Sequence, residues 1–89
     1  MFNMGSIVIT WGINNNLDSH KFRKEVAAAL HRFARADWGE EDAEDIEANN
    51  IALRTGDRLM GAYQTSKGKI WIITEADRSA TTILFPDEY

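Results

Sequence analysis

Lys69–Tyr89, KIWIITEADRSATTILFPDEY, is the stretch whose reading decides the fold. Its apolar segments IWII and TTILF are rich in β-branched and aromatic residues, which favour a pleated, half-buried surface. Between them EADRSA supplies the acidic, small and hydroxyl residues that reverse a chain. Two such runs around a short polar break predict an antiparallel β-hairpin. In the first strand Ile70 and Ile72 point one way, and Trp71 and Ile73 the other. Neither face is wholly polar, so the hairpin needs cover on one face and partial cover on the other. The expectation is that Trp71 is buried beside Phe22 or Phe33.

Working back from the hairpin, Arg58–Gln64 (RLMGAYQ) alternates Leu59 and Tyr63 against Met60 and Ala62, which predicts a further strand, and TSKG is its turn. Pro86, which has no amide to donate, ends the last strand. At the other end Ser6–Trp11 (SIVITW) is a short β-branched strand stopped by Gly12, and Ile13–Leu17 reads as an asparagine-rich loop. Asp18 or Ser19 then caps a helix running to about Ala36. At about 100° per residue, Phe22, Val26, Ala29, Leu30 and Phe33 share one face of it, and Lys21, Lys24, Arg32 and Arg35 lie nearly opposite.

A second helix is expected from Asp37, with Glu40 three residues on as in a capping box, to Thr55-Gly56. Ala43, Ile46 and Leu53 form its apolar side, flanked by Asn49 and Asn50. Ile51 projects instead among Glu40, Glu44 and Glu47. The order β-α-α-β-β-β makes the 89 residues one α+β domain of two layers: a C-terminal antiparallel meander, with a helical hairpin packed on one face.

Composition bounds the chemistry. With 44% apolar residues and three tryptophans, a packed core follows. Without cysteine there is no disulfide framework, thiolate metal site or cysteine nucleophile. The opening MFNMGSIVIT lacks the basic start and long apolar run of a signal peptide, and no run approaches a membrane span, so a cytoplasmic protein without membrane attachment is expected. The net charge of −4 speaks against direct nucleic-acid binding. Its distribution is sharper than its sum: Lys21, Arg23, Lys24, Arg32 and Arg35 form one basic segment. Asp37, Glu40, Glu41, Asp42, Glu44, Asp45 and Glu47 form an acidic one directly after it.

The acidic segment has the carboxylate density to occupy a basic groove on another protein. Read that way, Glu40, Glu41, Glu44, Asp45 and Glu47 with Ile51 form a partner-facing patch, and Glu75, Asp77 and Arg78 in the adjoining hairpin turn extend it. A solvated helix face accounts for the same acids. His20 and His31 lie eleven residues apart, about 16 Å along a helix, and cannot share a metal ion. No metal or other cofactor is expected. Glu75, Arg78 and one histidine could instead serve a small metal-free endoribonuclease. A homodimer formed through an exposed sheet edge is the third class.

The stretches ADWGEED with the EAN after it, GDRLMGAY, the whole of KIWIITEADRSATTILFPDEY and the opening MFNMG resemble a group of short proteins encoded on plasmids, conjugative elements and phages of Firmicutes. That resemblance implies a setting in mobile DNA, where small acidic proteins act on host defence or replication machinery. It carries over no catalytic or ligand residues. The reading is of a non-enzymatic protein-binding module, an inhibitor of a basic, nucleic-acid-handling protein such as a defence nuclease.

Overall fold

The computed structural model describes residues 2–89. Four strands, β1 (Ser6–Ile9), β2 (Leu59–Thr65), β3 (Gly68–Thr74) and β4 (Ala80–Leu84), form one sheet in the order β1-β4-β3-β2. β2, β3 and β4 are an antiparallel meander, as the hairpin reading requires, and β1 closes the far edge by pairing parallel to β4. The domain is α+β, with three helices: α1 (Trp11–Asn15), α2 (His20–Ala34) and α3 (Ala43–Thr55). No helix among the described residues is long and apolar enough to cross a membrane.

α2 begins where its cap lies: the Ser19 hydroxyl accepts from the Phe22 amide at 3.2 Å, satisfying one first-turn donor. Its apolar stripe of Phe22, Val26, Ala29 and Phe33 is buried against Leu59, Tyr63, Ile70, Ile72 and Ile83 from one face of the sheet. At its N-terminal half Glu25 accepts from both the amide and the hydroxyl of Ser66, which pins the β2–β3 turn. Lys21, Lys24, Arg32 and Arg35 face outward as their projection predicts.

Trp71 is not in that core. Register places Ile70 and Ile72 on the helix-covered face, so Trp71, opposite Ala62 and Leu84, lies half-buried on the other. Its ring meets Tyr89 edge-on at 5.9 Å, and Arg58 in turn lies over the Tyr89 ring and donates to its hydroxyl. The aromatic beside Phe33 is Trp38, at 5.4 Å, and Phe2 meets both rings, Phe33 at 5.5 Å and Trp38 at 6.2 Å. The two pairs with Phe33 are T-shaped, the arrangement that ring quadrupoles favour.

Two further boundaries depart from expectation. Trp11–Asn15 is a short helix, not the end of a strand and a loop. It is held from the other end of the chain: Glu88 accepts from the Thr10 hydroxyl at 2.5 Å and the Gly12 amide at 2.8 Å. α3 starts at Ala43, and its cap is Asp42, whose carboxylate accepts from the Asp45 amide at 2.8 Å. Asp37 does not cap it. Residues 38–40 run instead as a short extended segment beside β2, with the Ala62 amide donating to the Trp38 carbonyl and the Glu40 amide to the Ala62 carbonyl. Gly39 makes that approach possible: its φ is +81°, and a Cβ there would sit 2.0 Å from the Ala62 oxygen.

Candidate protein-binding surface

α3 is held to the domain by a narrow strip. Asn49 and Ala52 are buried, Asn50 and Leu53 half-buried, and every other residue of the helix is exposed. Ala43 and Ile46, assigned to the buried side from periodicity, are both exposed. The contact centres on Asn49, whose side-chain amide donates to the Met60 carbonyl at 2.7 Å and accepts from the Met60 amide at 3.0 Å. This one side chain satisfies both main-chain groups of a residue on the outer edge of β2, as a neighbouring strand would. Asn50 accepts from the Trp38 indole at 3.0 Å. Gly56, with φ +84°, closes the helix as expected.

This seating turns Ile51 outward. It is 42% exposed, and helical spacing sets it between Glu44 and Glu47 on the solvent side. Arg54 follows on the same side. Among the described residues the only ion pair in the molecule is Arg32–Asp37, at 2.8 Å, and it holds the Asp37 carboxyl below its usual range. Glu44, Asp45 and Glu47 therefore have no cationic partner, although a basic helix precedes them in the chain. The two other acids of the expected patch are differently placed. Glu40 accepts from the Gln64 amide at 3.2 Å. Glu41 is half-buried, and one of its oxygens has no hydrogen-bond partner among the described residues.

Burial, then the nearby Asp45 and Asp42, push the Glu41 carboxyl above its ordinary value. The native state thus binds this proton more tightly than the unfolded chain. The stabilising share of the protonated form is present at acid pH and is lost as pH rises through the folded value. Glu41→Gln, which fixes the neutral form, should raise the melting temperature at pH 7. It should make no difference once the pH is below the unfolded carboxylate value; thermal melts of both proteins from pH 3 to 7 check this.

The hairpin turn uses its polar residues on itself. Asp77 accepts from the Ser79 amide at 3.0 Å, and the Ser79 side chain, followed by that amide, lowers the acid's pKa. Arg78, in a left-handed conformation at φ +61°, donates to the carbonyls of Asp57, Glu75, Ala76 and Ala52, tying the turn to the end of α3. Glu75 is exposed. The Arg78 guanidinium is thus surrounded by carbonyl oxygens. His20 contacts Arg23 of its own helix, and His31 is exposed on the same helix. No group of three or more histidine, aspartate or glutamate side chains among the described residues is arranged to hold a metal ion.

Sequence reasoning passed over Asn49, taken as a flank. The available signal was its place in a helix otherwise short of apolar residues, where a buried amide can replace a missing hydrophobic contact. No protein-family model, curated protein or solved structure matches the chain.

Proposed function

We propose that this domain is a non-catalytic protein-binding module whose outward α3 face occupies a basic surface on a protein of nucleic-acid metabolism or defence. The observation that carries the reading is the exposure of Ile51 between carboxylates that have no ion-pair partner. A large aliphatic inside a charged rim is the pattern in which a few desolvated contacts hold a complex while the charges speed encounter. None of Lys21, Lys24 and Arg35 pairs with these acids, so the carboxylates are free to meet a partner's cations. Set in mobile DNA, as the resemblance implies, the partner is a host enzyme that handles nucleic acid, and the module acts as its inhibitor.

Capture from host lysate with the tagged chain, followed by mass spectrometry, tests the reading. A basic protein should be retained, and less of it as salt rises from about 0.05 to 0.3 M, because exposed charges are screened over a shorter distance. Reversing two exposed acids, Glu44→Lys with Glu47→Lys, should weaken capture at least tenfold while leaving the melting temperature within about 2 °C. Capture indifferent both to salt and to charge reversal would overturn the proposal.

A further inference from the structure

We propose that β1 is the interface to a second copy of this chain, joined edge to edge by a two-fold axis through Val8. All four residues of β1 are exposed, with Ile7 at 46%, Val8 at 44% and Ile9 at 37%, and Trp11 just beyond it is 78% exposed. The backbone explains what remains unpaired. The amides of Ser6 and Thr10 donate to the Ser79 and Ile83 carbonyls of the β4 side. Alternation along a strand then turns the N–H and C=O of Ile7 and Ile9 away from the sheet. Natural edges are blunted by lysine, proline, bulges or a covering element. β1 has none of the first two, and its pairing with β4 runs without a break in register.

The occupant follows from charge and register. No charged side chain occurs from Met1 to Leu17, whereas the chain as a whole carries −4. Beyond the Glu88 carboxylate, which Thr10 and Gly12 already hold at the end of β1, the strand brings no charged side chain to a second copy, whereas the α3 face would oppose acids to acids. The outward groups sit at alternate residues about Val8, so an antiparallel copy sets Ile7 against Ile9 of the second copy, each giving and taking a main-chain bond. Val8 then faces Val8 of the second copy in the closely spaced, non-hydrogen-bonded position. The result is one continuous eight-stranded sheet. Four strand residues a side are far fewer than the roughly 20–30 of a standard interface, so the dimer is weak, with a Kd on the order of 10–100 μM. The inference is independent of the α3 reading, and its failure leaves that reading untouched.

Sedimentation velocity of the intact chain from about 5 to 500 μM should show the mass rising from 10.1 kDa towards twice that value. Val8→Lys and Val8→Glu should each stay monomeric, because like charges face each other across the axis, and an equimolar mixture of the two should recover the dimer. In the wild type, amide exchange at Ile7 and Ile9 should slow several-fold over the same concentration range, while Val8, bonded to β4, keeps its rate. That readout needs no variant to fold. A wild type monomeric throughout, a dimer indifferent to Val8→Lys, no recovery on mixing, or growth beyond the dimer would each overturn the proposal, the last two in favour of a different partner strand or an open-ended assembly.

Discussion

Phe33→Ala should cost about 3–5 kcal/mol, the largest loss expected from any single truncation in this domain. Phe33 is fully buried in a three-ring cluster with Phe2 and Trp38, and it is the point where the N-terminal segment, α2 and the strip beside β2 meet. Removing the ring leaves a cavity lined by two aromatics attached to separate segments, neither of which can follow it inward without giving up main-chain bonds. A domain of this size has on the order of 5–10 kcal/mol in total. The variant's denaturant midpoint should therefore fall by about a third or more, at an unchanged m value. A loss below about 1 kcal/mol would show that the aromatic cluster is not the core.

Asn49→Ala should cost about 2–4 kcal/mol, a large effect for a polar residue on a thinly attached helix. The substitution removes both bonds to Met60 and strands a donor and an acceptor in a partly buried place, each at about 1–3 kcal/mol where water cannot reach. Asn49→Asp separates the two bonds: it keeps an acceptor for the Met60 amide but turns a second acceptor towards the Met60 carbonyl, and it should be at least as damaging. Chemical denaturation of the two variants reads the difference. If both lie within about 0.5 kcal/mol of wild type, α3 is held by Ala52 and Leu53 alone.

The meander was legible because its signals are local. The alternation in RLMGAYQ and KIWII, the TSKG turn and the reversal in EADRSA each require only neighbours in sequence, and they reappear as β2, β3 and β4. The same alternation could not say which face α2 would cover, since Ile70 and Ile72 compete with Trp71 and Ile73 on nearly equal terms. Trp71 was misplaced for that reason. The start of α3 was ambiguous for another: Asp37 and Asp42 are each followed three residues later by an acid, Glu40 and Asp45. Only the long-range pairing of residues 38–40 with Ala62 removes the first of them. α1 was invisible because its asparagines favour turns, and the carboxylate holding it comes from Glu88, at the far end of the chain.

The candidate surface was legible in part. Periodicity put Ile51 among Glu40, Glu44 and Glu47; the structure has the last two with it on one exposed side, while Glu40 precedes the helix. Periodicity could not foresee that Glu40 is taken up by Gln64, that Glu41 is half-buried, or that Arg78 is engaged by four carbonyls. Glu40 depends on a strand 24 residues away, and two of the Arg78 carbonyls, Ala52 and Asp57, come from segments 26 and 21 residues away. Single-segment projection also rotated α3, by counting Ala43 and Ile46 as buried, because it had no means of knowing that an asparagine would take the central buried position.

The central claim is that the α3 face binds a partner through Ile51, and the affinity of the Ile51→Asp variant for the captured protein tests it most directly. The side chain is already 42% exposed, so the variant should melt within about 2 °C of the wild type. Its affinity should fall at least tenfold, which is about 1.4 kcal/mol of binding free energy. An unchanged affinity in a variant that still folds, or a melting temperature lowered by 10 °C or more, would contradict the account: the first would remove Ile51 from the interface, and the second would make it part of the core.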